Sequence, residues 1–284
     1  MSTSQPIELK WSLGLNKDIP GGVHNLGGSS IFYTVANTAV VYDHSSSEQR
    51  LLQGHVNLIS ATAVSGDRKY VITADTGLDS MLVVWDTETL SPVRTLFNPH
   101  DNGVLSVDIS NDNQFIVTLS APVPGQPQQL SIWSMYCTNV DEINKPLMTV
   151  RVEGQDIQTF VRFNPADVQE LVTNGKRRVF FWTWESNGEL PQFYSPALSA
   201  RAFRQRVGDF TQTIFIPNST QAATATVDGD VVLWDLSLVI DGCIIAKIIP
   251  FHLQAVPAGR AQGRKDCATV SGCCPERNAR AVQL

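Results

Sequence analysis

Apolar residues fall in short runs of four to six, broken by Gly, Asn, Asp, Ser and Pro, which is the pattern of short β-strands joined by turns. Four runs end in tryptophan: Leu82-Val83-Val84-Trp85, Leu130-Ser131-Ile132-Trp133, Val179-Phe180-Phe181-Trp182 and Val231-Val232-Leu233-Trp234. Successive tryptophans stand 48, 49 and 52 residues apart. Another run, Ala39 to Asp43, ends in Tyr42-Asp43 and puts Tyr in the aromatic slot. Upstream of each tryptophan the same parts recur. Strands are predicted at Ile59 to Val64 and Tyr70 to Ala74, at Val104 to Ile109 and Phe115 to Leu119, at Thr159 to Phe163 and Glu170 to Thr173, and at Thr213 to Ile216 and Ala222 to Thr226.

A repeat of roughly 40 to 50 residues built from short strands is the period of a four-stranded propeller blade. The expected fold class is all-β: an incomplete β-propeller of about four blades plus an N-terminal partial blade. The array is expected to occupy residues 1–241. After Asp235 the pattern fails, and 242–284 reads as a divergent tail or alternative ending. It holds Cys243, Cys267, Cys273 and Cys274, with six basic residues against two acidic ones. Ile244 to Phe251 could still supply an outer strand.

Charge and composition narrow the function classes. The net charge of −6 over 284 residues gives no reason to expect a nucleic-acid partner. Met1 to Asn16 has no secretory pattern, and no apolar stretch reaches the roughly 18 residues that span a bilayer. A cytoplasmic chain with no membrane or small-molecule partner is expected. Five cysteines, an odd number, argue against a disulfide framework.

Gly54-His55 followed by Trp85-Asp86 resembles the unit of the WD-repeat family, whose blades carry a hydrogen-bonded chain of His, Ser or Thr, Asp and Trp. The resemblance implies this chain for His55, Thr73, Asp79 and Trp85. It also implies roles for His100 and Trp133 in the next unit, Trp182 in the third, and Thr224, Asp228 and Trp234 in the fourth. Asp79 and Asp228 each stand six residues before their tryptophan. Gly154 and Val207 occupy the histidine slots of the third and fourth units, and Lys176 replaces the turn Asp of the third. Those units are expected to lean on apolar packing. More specifically, Gln53-Gly54-His55-Val56-Asn57-Leu58-Ile59, Thr73-Ala74-Asp75-Thr76-Gly77, Asn98-Pro99-His100 and Asp228-Gly229-Asp230 are similar to the cilia- and flagella-associated WD-repeat subunit of the calmodulin- and spoke-associated complex. That resemblance implies a non-catalytic scaffold of the ciliary or flagellar axoneme at the base of radial spokes. Its partners would be other proteins of that complex. The alternative is a cytoplasmic WD-repeat adaptor outside cilia, microtubule-associated or substrate-recognising.

Other candidate chemistry is thin. His55 and His100 precede inner strands and read as bracing groups before they read as metal ligands or bases. Adjacent Cys273-Cys274 with Cys267 and His252 fits a zinc site poorly. Gly21-Gly22 and Gly27-Gly28 lack the Gly-Lys-Ser or Gly-Lys-Thr of a phosphate loop. Asp112 lies in a hairpin turn without the Gly and distal Glu of a calcium loop. Lys176-Arg177-Arg178 reads as a solvated turn, or as a contact with an acidic partner. No catalytic motif is present, so neither an enzyme nor a cofactor is expected.

Overall fold

The computed structural model describes residues 9–137, 142–152, 154–186, 189–196 and 207–236, with the backbone of 246–250. These residues form five antiparallel four-stranded sheets, each built from consecutive strands in simple up-and-down order. The first comprises His24–Gly27 (β1), Ser30–Val35 (β2), Thr38–Asp43 (β3) and Glu48–Leu52 (β4). The second comprises Ile59–Val64 (β5), Tyr70–Asp75 (β6), Met81–Asp86 (β7) and Pro92–Phe97 (β8). Val104–Ile109 (β9), Phe115–Ser120 (β10), Gln128–Ser134 (β11) and Met148–Val152 (β12) make the third. Phe160–Phe163 (β13), Glu170–Asn174 (β14), Val179–Thr183 (β15) and Gln192–Tyr194 (β16) make the fourth. The fifth has Phe210–Phe215 (β17), Gln221–Thr226 (β18), Asp230–Asp235 (β19) and Ala246–Pro250 (β20).

Two expectations shift. The N-terminal sheet has all four strands where a partial blade was expected, because the turn at Ala36-Asn37 (Ala36 at φ +52°) lets β2 and β3 pair along their full length. The fifth sheet takes its last strand from beyond residue 241: Ala246 to Pro250 pairs with Trp234 to Asp230. The remainder of the tail, with its four cysteines apart from that strand, lies outside the described residues. No α-helix occurs among the described residues. The arrangement is propeller-like.

Strand alternation explains how neighbouring sheets meet. Side chains on one strand point to opposite faces in turn. On β7, Val83 and Trp85 join Phe32, Ala39 and Val41 of the first sheet, whereas Leu82 and Val84 join Val107, Ile109 and Trp133 of the third. Trp182 likewise packs among Val117, Leu119 and Ile132 of the sheet before it, and Trp234 among Val172, Val179 and Phe181. Each tryptophan therefore fills the seam with the preceding sheet. Strands buried on both faces need near-continuous apolar sequence. Leu-Val-Val-Trp and Val-Phe-Phe-Trp supply it.

Inner strands are also tied by polar side chains. The carboxylate of Asp108 on β9 accepts from Phe163 N at 2.8 Å and from Arg162 Nη1 at 3.0 Å, both on β13. Ser106 Oγ accepts from Val161 N at 3.1 Å, and Ser60 Oγ donates to Val104 O at 2.6 Å. His24 Nε2 lies 3.1 Å from Thr62 Oγ1; burial, then the nearby Arg162 cation, hold this ring at a pKa of about 4. Because a buried N–H without an acceptor is costly, Asp108→Ala is expected to lower unfolding stability by about 2 kcal/mol. Asp108→Asn, which keeps an acceptor oxygen, should lose less. Equilibrium urea unfolding of the two variants checks the order.

Candidate functional site

The second strand of four consecutive sheets carries a fully buried threonine, and the tryptophan two register positions away donates to it. Trp85 Nε1 meets Thr73 Oγ1 at 2.9 Å, Trp133 meets Thr118 at 2.9 Å, Trp182 meets Thr173 at 3.0 Å and Trp234 meets Thr224 at 2.7 Å. The register is common to all four: Trp85 faces Val71, Trp133 faces Ile116, Trp182 faces Leu171 and Trp234 faces Ala222.

What completes the bracket differs from sheet to sheet. In the second sheet His55 Nε2 is 2.7 Å from Thr73 Oγ1, and its Nδ1 is 2.9 Å from Asp75 Oδ2. A carboxylate can only accept, so Nδ1 donates to Asp75. Thr73 accepts from the indole and has its own proton for Nε2. The other Asp75 oxygen accepts from Met81 N at 2.7 Å, which fixes the start of β7. Asp79, expected in this role, stands instead at φ +55° in the exposed turn between β6 and β7. Asp75, at the end of β6 and two residues past Thr73, reaches the imidazole because it shares that threonine's face of the strand.

In the third sheet His100 Nε2 lies 2.8 Å from Thr118 Oγ1, with its ring edge-on to Trp133. The position of Asp75 is taken by Ser120, whose hydroxyl accepts from Gln129 N at 2.9 Å. His100 Nδ1 makes no hydrogen bond of ordinary geometry among the described residues, and burial lowers this histidine to a pKa of about 4. In the fourth sheet the histidine slot is filled by Gln158, not by Gly154. Thr173 donates to Gln158 Oε1 at 2.9 Å, and Gln158 exchanges backbone bonds with the Gln128 side chain at 2.8 and 2.9 Å. Lys176 leaves no gap, because Asp156 enters from the preceding loop and accepts from Arg177 N and Arg178 N at 2.9 and 2.7 Å. Only Gly175 admits that carboxylate; a Cβ there would collide with it. In the fifth sheet Thr213, not Val207, meets Thr224 at 2.7 Å. Asp228 packs against the backbone of Gly208 and Thr226 caps the turn to Asp230 N at 3.1 Å. The third and fourth units thus keep polar chains where they were expected to lean on apolar packing. A Gln at the bracketing position was missed because sequence patterning looked only for His.

Tyr42 occupies the aromatic slot of the first sheet, facing Ile31, and Tyr33 stands where the threonine would be. This face meets the segment before β1. Trp11 packs edge-on against Tyr42, and Gln49 links Tyr33 to the backbone of Ser12.

These groups brace the sheets. No set of three or more His, Cys, Asp or Glu side chains is placed to hold a metal ion among the described residues. A cleft of about 250 Å³ between the fourth and fifth sheets is lined mainly by Phe181, Trp182, Phe193, Tyr194 and Phe215. One exposed surface is a rim of turns and loops. In up-and-down sheets, the β-turns joining second to third strands share one end with the loops leading to the next sheet. Backbone bonds join those loops from the first to the second sheet (Ile59 N to Ala36 O), the second to the third (Gly77 N to Asn102 O), within the third (Ala121 N to Gly103 O) and from the fourth to the fifth (Phe210 N to Lys176 O).

A family model for the CFAP251 N-terminal domain matches residues 7–253. The chain belongs to that family. Among its relatives, cilia- and flagella-associated protein 251 of Chlamydomonas reinhardtii is 42% identical over 241 residues, covering 81% of this chain and 30% of the relative. Its Tetrahymena thermophila counterpart is 43% identical over 251 residues, covering 85% of this chain and 24% of the relative. Human echinoderm microtubule-associated protein-like 4 is more distant, 24% identical over 204 residues, covering 64% of this chain and 19% of that protein. The chain thus spans 24 to 30% of the length of the two CFAP251 relatives. Their names associate them with cilia and flagella and carry no enzymatic activity.

Two outcomes test the brackets. Thr173→Val removes the acceptor of Trp182 and the donor to Gln158, and is expected to cost about 3 kcal/mol; Thr173→Ser, losing a methyl group only, should cost about 1 kcal/mol in urea unfolding. The His100 pKa is depressed to about 4 from 6.5. An unfolded chain therefore takes up this proton before the folded one does, and stability present above about pH 6.5 is lost as pH falls toward about 4. Between about pH 7 and about pH 5 the loss from His100 should approach 2 kcal/mol. His100→Gln, which copies Gln158, should remove that share of the slope in urea midpoints measured across the range.

Proposed function

We propose that this chain is part of a non-catalytic WD-repeat propeller scaffold of the ciliary or flagellar axoneme. It would support radial-spoke attachment and motility through contacts with other proteins of the calmodulin- and spoke-associated complex. Membership of the CFAP251 family carries the reading, through relatives in two ciliated organisms at 42 and 43% identity. The sheets add physical support. Their buried polar groups are engaged in bracing, which leaves loops and turns as the chemically free surface, and binding groups concentrate on such loops. A cytoplasmic, microtubule-associated adaptor is the second reading, favoured by the likeness to echinoderm microtubule-associated protein-like 4.

Expression of a tagged chain in motile ciliated cells separates the two. Retention in detergent-extracted axonemes, together with loss of the signal in mutants lacking radial-spoke bases, is the expected result. Recovery only from the cell-body cytoplasm, or on microtubules of cells without cilia, would transfer the case to the adaptor.

A further inference from the structure

The rim that carries the second-to-third-strand turns changes character along its length. In the second sheet Val56, Leu58 and Leu78 are 76, 65 and 83% exposed, although large apolar side chains gain by burial. They form one patch. Asn57 Nδ2 donates to Leu78 O at 2.8 Å and its amide lies against Gly77, so the two loops are held side by side. Their backbone continues into the third sheet through the Thr76–Gly103 bridge and the Gly77 N to Asn102 O bond. There the surface becomes a small polar notch of about 20 Å³ between Asn102, Ser120, Gln126 and Gln129, with His100 at its floor. That is room for a single water or one polar atom. His100 is 96% buried, and its ring interacts with the Gln129 side chain at the notch without an Nδ1 hydrogen bond of ordinary geometry.

In the fourth sheet Lys176, Arg177 and Arg178 stand exposed on the turn between β14 and β15, three successive cations on a chain of net charge −6. Their backbone is held by Asp156, which accepts from two of the three amides, and their side chains form no ion pair among the described residues. Among the described residues this rim also carries carboxylates: Asp79 and Asp101 are exposed beside the apolar patch, and Asp209 and Asp228 in the fifth sheet. The cationic turn is thus flanked, among the described residues, by groups that repel carboxylates.

We propose that this rim docks an extended protein segment with apolar side chains at one end, carboxylates at the other, and uncharged residues between. Charge complementarity decides the occupant. A uniformly acidic segment would meet Asp79 and Asp101, and a wholly apolar one would leave the cations unused. Packed sheets are about 10 Å apart, so patch and cations lie roughly 20 Å apart, which about six extended residues span. With Thr118 giving its proton to Nε2, the neutral imidazole carries its own proton on Nδ1, so the notch in the middle takes a hydrogen-bond acceptor. This deepens the scaffold reading and rests on it, since it names the surface and partner chemistry through which a scaffold would act.

The test uses the full chain and labelled synthetic peptides of about twelve residues, with Leu and Phe at one end, Ser and Asn between, and four Glu at the other, made in both directions. In fluorescence anisotropy one direction should bind, and a version with Gln for Glu should bind about tenfold or more weakly. Replacing Lys176, Arg177 and Arg178 together by Glu should abolish the preference for Glu over Gln. Leu78→Ser should weaken both peptides alike, with the urea midpoint unchanged in each variant. Equal affinity for the Glu and Gln peptides, a preference that survives the charge reversal, or no saturable binding by the wild type would each overturn the proposal. A chain that binds the peptide yet is absent from axonemes would leave the rim standing and remove the ciliary reading. The opposite result removes the rim alone.

Discussion

A hydroxyl buried in the middle of a two-sided sheet must both give and receive a hydrogen bond, and the rest of the architecture is arranged around that need. Thr73, Thr118, Thr173 and Thr224 are each fully buried. Each receives an indole N–H from the third strand of its own sheet, which pins the tryptophan over the second strand and orients it into the seam with the sheet before. The remaining bonding capacity is directed at the loop or inner strand that begins the sheet: His55, His100, Gln158 and Thr213. One small side chain thereby couples the innermost strand to the third. Burial of polar groups at this density is tolerable only when they are satisfied, since each unmet donor or acceptor costs as much as a lost packing contact.

The requirement concerns bonding capacity and not residue identity, which accounts for what was legible in the sequence and what was not. Tryptophan spacing and strand runs are local patterns, and they placed β5 to β7, β9 to β11, β13 to β15 and β17 to β19 close to their observed positions. The turn-side carboxylate was misplaced because it was counted backward from tryptophan. The connection covers 76–80 in the second sheet but only 227–229 in the fifth, so a fixed offset from Trp85 and Trp234 lands on different structural positions. Counting forward from the threonine would have found Asp75, and in the same place Ser120, Gly175 and Thr226. At three of those positions the side chain caps the start of the third strand. At Gly175 an absent side chain admits Asp156 from the previous loop to do the same task. The compensation is three-dimensional, and a search for a histidine motif passes over it.

The first sheet shows what the bracket gives way to where no other described sheet lies against that face. Tyr33 and Tyr42 replace the Thr–Trp pair, and they are half-buried where the other pairs are sealed. Trp11 and Gln49 meet them instead, with Leu13 and Leu15 still exposed. On the fifth sheet the reverse face, away from the fourth, carries Ala223, Ala225, Val231 and Leu233, with Ile214 beside them. Among the described residues, polar brackets lie in the seams between sheets, and these two faces are apolar or aromatic.

The same division of labour bears on how a framework of this type can vary its surface chemistry. The brackets hold each turn from below, through bonds to backbone amides such as Met81 N, Gln129 N, Arg178 N and Asp230 N. Nothing in those bonds depends on the outward side chains of Leu78, Asn102 or Lys176. A surface whose backbone is fixed by buried groups can carry apolar, polar and cationic side chains in succession without losing its shape. The ordering cost of binding is then met largely by the partner. A stiff rim of mixed chemistry would select by the sequence of groups along a strand, and the cationic step at Lys176 to Arg178, flanked among the described residues by carboxylates, would give that selection a direction.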